Sequence, residues 1–130
     1  MKLGDLVCAY PNRFYQQNIL AITSGRLRQR SAGTAILFLL PTGHFSRWHR
    51  VRSAELWFHQ AGDPLELAIA ATLDGASQII HLGRDYAFQA VVPPNQWQKA
   101  TPIAGEAGYA LVACVVVPGF DFTDFELSGT

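Results

Sequence analysis

The sequence predicts an all-β fold, a sandwich or barrel of short antiparallel strands, and two observations carry this prediction. Apolar runs recur along the chain at intervals of about 8–12 residues, which is the spacing of small β-sandwiches. Each run ends at residues that favour turns, chiefly glycine, proline and aspartate. Because 49% of the 130 residues are apolar, the chain can bury a sizeable core without a disulfide or a structural metal.

The predicted strands follow one another from residue 34 onward. They cover 34–40, 55–59, 65–72, 77–82, 88–92 and 109–117. Asp74 and Gly75 predict a hairpin between the third and the fourth strand, because both residues tolerate positive φ. Residues 3–10 and 14–22 fit a helical turn or an edge strand equally well. The expected core residues are Phe38, Trp57, Leu67, Ile69, Ile80, Val91 and Leu111.

Composition and charge exclude several classes of protein. No repeat or linker divides the chain, so we expect one domain over 1–130, its core at about 34–127 and segment 1–33 packed on that core or on a partner subunit. Ten basic and ten acidic residues cancel, which removes the electrostatic reason to expect nucleic acid. No apolar run reaches the roughly 18 residues of a membrane span, and the first residues make a poor signal peptide. We therefore expect a cytoplasmic protein without a membrane partner.

Two further features concern association and metal binding. Residues 109–117 are apolar on both strand faces, so the opposite sheet should cover one face and a local segment or a partner subunit the other. We therefore expect a homodimer. Cys8 and Cys114 lie far apart and show neither the spacing of a zinc site nor a disulfide framework, which indicates two reduced thiols.

The residues with chemical potential cluster between positions 43 and 62. If strand alternation holds across Ser53, one strand face collects Arg47, His49, Val51, Glu55, Trp57 and His59. Burying such charges is costly unless they are paired or hydrated, so a pocket lining explains them better than a packed core. The alternative is that this face points to solvent.

The spacing of these residues resembles the first motif of the cupins. That motif reads G, five residues, H-x-H, three or four residues, E, six residues, G; here Gly43, His49, Glu55 and Gly62 match, and Val51 replaces the second histidine. The separated blocks FSRWHRVRSAELW, GDPLEL, HLGRDY, VVPPNQWQKA and YALVACVVVPGFDFTDFEL are similar to the cupin-5 branch. The resemblance covers about 34–127 and implies a cupin jelly-roll barrel, or double-stranded β-helix, with a small-molecule ligand between its sheets.

The chain departs from that family in two places. Residues 10–15 stand where members of the branch carry an HPEGGYF-like segment, and Asn95 and Gln98 replace the glycine and histidine of the second cupin motif. The resemblance implies four metal-ligand positions, of which only His49 and Glu55 keep a strong ligand, fewer than the three a mononuclear site wants. We therefore expect no resident cofactor and leave a weak divalent-metal site at His49, Glu55 and Gln98 as the third alternative.

Without a metal, His49 beside Glu55 resembles a general base whose tautomer a carboxylate fixes. Tyr86 or Tyr109 would then donate the second proton, as in the cupin-fold sugar epimerases, while Arg47 would bind an anionic group. The remaining substrate-binding candidates are Trp57, His59 and Gln98. The leading hypothesis is a cofactor-free isomerase, epimerase or cyclase that acts on a small anionic organic molecule. The rival hypothesis is a ligand-binding module in which His49 and Glu55 only stabilise the mouth of the barrel.

Overall fold

A computed structural model describes residues 14–24 and 28–129 of the chain. The strands, numbered in chain order, are β1 (Phe14–Ser24), β2 (Arg28–Pro41), β3 (His49–Arg50), β4 (Ala54–Gly62), β5 (Leu65–Ala70), β6 (Ser77–Leu82), β7 (Gln89–Val92), β8 (Trp97–Pro102), β9 (Tyr109–Val117) and β10 (Glu126–Leu127), with one 3₁₀ turn at Phe122–Asp124. The predicted all-β class is confirmed. Residues 3–10 lie outside the described part, whereas the ambiguous run at 14–22 belongs to a strand.

The strands form two five-stranded antiparallel sheets. The first sheet has the order β1-β2-β9-β4-β7, and the second has the order β10-β3-β8-β5-β6. β6 and β9 have the bounds that the sequence predicts, and the Asp74-Gly75 hairpin joins β5 to β6. β8 is absent from the predicted strands, because its interior mixes Gln98, Lys99 and Thr101 with apolar residues and so lacks a clear apolar run.

The core fills the space between the two sheets. Trp57, Leu67 and Ile69 are buried there as predicted, and Phe38 and Ile80 pack against the core while partly buried. Leu111 is also buried, on the outer face of β9. The prediction for Val91 was wrong, because this side chain is 56% exposed. β7 lies at the edge of its sheet, and its pattern turns the neighbouring residues inward and Val91 outward.

The corner between β4 and β5 is fixed by Gly62 and Asp63. Gly62 has a φ of +83°, and a Cβ there would collide with the carbonyl oxygen of Tyr109. The buried Asp63 carboxylate accepts hydrogen bonds from the backbone N–H of Ala107 at 3.1 Å and of Gly108 at 2.8 Å. This corner holds the start of β9 against the end of β4.

Within the described ranges, no helix is long and apolar enough to cross a bilayer.

Truncation in the core should be costly. Leu67 is fully buried, so Leu67→Ala should lower the free energy of unfolding by about 2–5 kcal/mol through lost burial and the cavity left behind. Leu73→Ala is the matched control, since that leucine is 48% exposed in the β5–β6 connection and its loss should cost no more than about 0.5 kcal/mol. Urea titration of both variants measures the difference, and equal losses would contradict the described core.

The apolar residues of β9 predict self-association. Leu111, Ala113 and Val115 alternate with the inward-facing Val112 and Cys114, so both faces of this strand are apolar in the folded chain. Analytical ultracentrifugation at tens of micromolar should therefore give twice the 14.3 kDa of one chain. A single species of one-chain mass would contradict the homodimer.

Candidate functional site

A cavity of about 330 Å³ lies between the two sheets. β2, β4 and β9 of the first sheet form one wall, and residues 45–51, which include β3 of the second sheet, form the facing wall. The third side is the C-terminal strap, defined here as residues 118–128. The structure brings five residues of the predicted pocket face to this cavity: Arg47, His49, Val51, Glu55 and Trp57.

Glu55 is the most unusual group in the cavity wall. The residue is only 7% exposed, and its Oε2 atom has no hydrogen-bond partner. Burial raises the pKa of the Glu55 carboxyl to about 7, although the nearby Gln98 amide and Trp57 indole lower it somewhat. Burial and the nearby Glu55 also raise the pKa of the Cys114 thiol, which lines the same cavity. Glu55 can therefore exchange a proton near neutral pH.

Gln98 supports this wall from behind. Its side chain is completely buried, and its Oε1 accepts a 2.7 Å hydrogen bond from the Trp57 indole N–H. Gln98 does not line the cavity itself. The structure therefore does not bring Gln98, predicted to bind substrate, to the cavity surface; its amide holds the Trp57 ring in the wall beside Glu55.

His49 faces the cavity from the second sheet, opposite the sheet that carries Glu55. Its Nδ1 lies 2.7 Å from the Arg47 carbonyl oxygen. Because a carbonyl only accepts, Nδ1 must carry the proton, and Nε2 of the neutral ring is an acceptor. The expectation that Glu55 fixes the tautomer was wrong, since the Arg47 backbone does so. Burial lowers the pKa of His49, partly opposed by that same hydrogen bond, so the ring is neutral at pH 7.

Three predicted site residues lie away from the cavity. Tyr86 is 52% exposed, and its ring packs edge-on against His81 on the outside of the fold. Tyr109 begins β9 beside Gly62, at the opposite end of the strand from the cavity-lining Val116. His59 Nε2 lies 2.9 Å from the Asp63 carbonyl oxygen at that same end, about 13 Å along β4 from Glu55. The structure therefore does not bring Tyr86 and Tyr109, predicted as proton donors, or His59, predicted to bind substrate, to the cavity.

The C-terminal strap closes the cavity, a role that the sequence analysis did not assign to it. Three of its apolar side chains line the cavity, namely Phe120, Phe125 and Leu127. The strap bridges both sheets, because β10 pairs with β3 while the Phe120 N–H donates to Thr34 Oγ1 on β2. Alternation of acidic and apolar residues in FDFTDFEL is the signal that could have revealed it.

Arginines of the 47–52 segment hold the strap in place. Arg47 donates to the Ser128 carbonyl oxygen, and Arg50 forms an ion pair with Glu126 at 2.7 Å. The guanidinium of Arg50 also lies 4.7 Å from the centre of the Trp97 ring. The same short segment therefore supplies three cavity residues and the contacts that close the cavity.

The side chains of this site do not suit a transition metal. In the part of the chain that the structure describes, no group of three or more histidine, cysteine, aspartate or glutamate side chains is placed to hold a metal ion. The oxygen of Gln98 already accepts from Trp57, and Val51 offers no ligand atom. His49, Glu55 and Cys114 carry the other candidate ligand atoms of the lining, and these three are not grouped closely enough to hold one ion.

Comparison with known proteins agrees with this architecture. The family described as "Cupin superfamily (DUF985)", Cupin_5, matches residues 9–128. The chain belongs to the Cupin_5 family. Among solved structures, this cupin is similar to a hypothetical protein from Leishmania major, with 25% identity, a TM-score of 0.80, and coverage of 98% of this chain and 88% of that one. A protein from Shewanella oneidensis is similar at 27% identity and a TM-score of 0.75, covering 98% of this chain and 85% of that one.

A more distant likeness concerns the fold alone. Oxalate decarboxylase from Bacillus subtilis has 15% identity to this cupin and a TM-score of 0.61. The match covers 74% of this chain and only 24% of that enzyme. No curated protein matches this cupin. The jelly-roll fold is thus established, whereas the chemistry must be argued from the site.

Removing the Glu55 carboxyl should change how stability depends on pH. The folded chain binds this proton with a pKa of about 7 against 4.5 for an unperturbed glutamate, so the stabilising contribution of the bound proton is complete below about pH 4.5 and is lost as the pH rises through 7. Relative to Glu55→Gln, the wild type should therefore lose on the order of 3 kcal/mol between these pH values. His49, with its lowered pKa, acts in the opposite sense but is common to both proteins.

Urea titrations at several pH values measure this difference. The matched control is Glu66→Gln, because Glu66 is half-exposed on the second sheet and does not line the cavity. Its profile should run parallel to that of the wild type. A Glu55→Gln profile that also runs parallel would show that the carboxyl is ionised and solvated in the folded chain.

Proposed function

We propose that this cupin is a cofactor-free isomerase, epimerase or cyclase that transfers protons on a small organic substrate held between its sheets. One observation carries the proposal: the Glu55 carboxyl is buried in a largely apolar cavity wall with one oxygen unpartnered. An enzyme gains most from a general acid or base whose pKa lies near the working pH, and burial brings Glu55 to that range. A carboxyl kept only for stability would cost less if it were paired or exposed.

His49 and Glu55 divide the proton transfer between them. The His49 Nε2 lone pair takes a proton from a carbon next to a substrate carbonyl, while the protonated Glu55 carboxyl gives its proton to the carbonyl oxygen. The product of this half-reaction is a neutral enol, with His49 as imidazolium and Glu55 as carboxylate. The imidazolium then gives its proton to the other face of that carbon, or to a neighbouring carbon, while a hydroxyl of the enol gives its proton to the Glu55 carboxylate. This completes an epimerisation or an isomerisation and restores both groups. Glu55 thereby takes the acid role that the sequence analysis gave to a tyrosine.

The position of Arg47 favours a substrate that carries an anionic group. Its guanidinium lines the cavity from an exposed position and has only one described hydrogen bond, to the Ser128 carbonyl oxygen. A guanidinium carries five N–H donors in a fixed fork, so it can bind a carboxylate as well. The anion is then held at the rim, away from the Glu55 carboxyl.

The second candidate is a binding module without a reaction. It is favoured by the lining of this cavity, in which apolar side chains outnumber the groups that could react. Such a lining can hold a ligand through burial alone. The two candidates differ in whether a bound molecule exchanges carbon-bound hydrogen with the solvent.

Proton exchange with deuterated water separates the two candidates. Pyruvate, phenylpyruvate, 4-methyl-2-oxopentanoate and glucose 6-phosphate are incubated with the protein, and loss of the hydrogen next to the carbonyl is followed by NMR. Glu55→Gln and His49→Gln should each slow the exchange by roughly 10²–10⁴-fold. Glu66→Gln and His81→Gln, which change an acid and a histidine outside the cavity, should leave it unchanged.

The pH profile gives a second readout of the same reaction. The rate should fall as the pH rises above about 7, because Glu55 then loses the proton that it must donate. It should also fall at acid pH, where His49 becomes protonated. Compounds that bind the cavity without any exchange would contradict the catalytic proposal and favour the binding module.

A further inference from the structure

The walls of the cavity are unusually rich in aromatic rings. Five of the residues that line it carry one: Phe38, Phe45, Trp57, Phe120 and Phe125. Aliphatic side chains such as Ile36 and Val116 fill the spaces between them. Ligands with a ring or a branched alkyl group gain the most binding free energy from such walls, because they bury apolar area against flat, polarisable surfaces. At about 330 Å³ the cavity is at the small end of ligand pockets, so the molecule must be compact.

Few polar groups of the lining remain available to a ligand. The Ser46 hydroxyl oxygen already accepts from the Ala100 N–H at 2.7 Å, and the Thr34 hydroxyl oxygen accepts from the Phe120 N–H at 2.9 Å. Each of these hydroxyls keeps only its O–H to donate, and the other polar groups of the lining are the guanidinium of Arg47, Nε2 of His49, the carboxyl of Glu55 and the weakly polar Cys114 thiol. A sugar or a small dicarboxylate would bring more polar groups into this space than these scattered sites can pair, which is costly.

We propose that the ligand of this cavity is a compact monocarboxylic acid with a ring-bearing or branched apolar body, its carboxylate at Arg47 and its body against the Phe38 and Trp57 wall. Sugars, sugar phosphates and small dicarboxylates are excluded. The inference rests on the proposed function only in placing the ligand in the same cavity. It names the substrate class by the number and position of available polar groups.

Calorimetric titration slightly below neutral pH tests the ligand class. Benzoate and cyclohexanecarboxylate represent the proposed class, while oxalate and glucose 6-phosphate represent the excluded ones. The two ring acids should bind at least about tenfold more tightly than either hydrophilic anion, since they leave fewer polar groups unpaired. If oxalate or glucose 6-phosphate binds as tightly, or if neither ring acid binds at millimolar concentration, the proposal is overturned.

A filling substitution tests the place of binding. Val116 lines the cavity whereas the next residue, Val117, is 46% exposed on the other face of β9, so Val116→Phe and Val117→Phe form a matched pair. Val116→Phe should weaken benzoate binding by at least about tenfold, and Val117→Phe should not. Ile36→Phe on β2 is a second filling variant in case the first does not fold. Unchanged binding in a folded filling variant would place benzoate elsewhere and overturn the proposal.

The orientation of the ligand is tested at Arg47. Arg47→Gln should weaken benzoate by about fivefold or more but leave the uncharged benzamide unchanged, because only benzoate uses the charge of the guanidinium. Arg84→Gln, at an exposed turn far from the cavity, is the control. Equal losses for benzoate and benzamide would overturn the placement of the carboxylate.

The results separate this inference from the proposed function. Benzoate bound in the cavity, together with phenylpyruvate and 4-methyl-2-oxopentanoate that bind there without exchange of hydrogen, would support the ligand class and contradict the catalytic proposal. Exchange on glucose 6-phosphate that depends on Glu55 would support the catalytic proposal and overturn the ligand class.

Discussion

The Trp57 indole of the first sheet donates a 2.7 Å hydrogen bond to the Gln98 amide of the second, and the Glu55 carboxyl lies beside both groups. Transferring a carboxylate from water into this wall costs free energy, and the nearby Gln98 and Trp57 side chains offset only part of that cost. Glu55 therefore holds its proton up to neutral pH instead of ionising. Much of the site follows from this constraint, because an ionised or paired Glu55 would have no proton to exchange in that range.

The two sheets are tied together around this carboxyl by polar contacts between residues far apart in the chain. Trp57 on the first sheet and Gln98 on the second form one tie. The C-terminal strap forms another, because the Phe120 N–H donates to Thr34 Oγ1 on the first sheet while β10 pairs with β3 of the second. Since the cavity lies between these ties, its apolar walls keep a fixed separation, and ligand selection by shape becomes possible.

The sequence predicts those parts of the site that depend only on the alternation of side chains along a single strand. Strand alternation correctly places Arg47, His49 and Val51 on one face, and the same alternation along β4 brings Glu55 and Trp57 to the cavity. It fails for His59, which shares their parity but lies too far along the strand. It fails for Tyr86, Tyr109 and the strap for another reason: their positions depend on which strands pair, and single-strand periodicity does not carry that information. Val91 was misplaced for the same reason, because periodicity does not show that β7 lies at the edge of its sheet.

Val51 and Gln98 occupy two positions at which the cupin motifs carry histidine. Val51 is buried in the cavity wall and has no ligand atom, and the Gln98 oxygen accepts from the Trp57 indole behind that wall, so neither side chain presents a ligand to a cation in the cavity. In place of a positive centre, the barrel presents a carboxyl that burial keeps protonated and an imidazole that burial keeps neutral. The same desolvation thus prepares an acid and a base in one cavity, and on this fold the proposed chemistry needs nothing more than the two side chains.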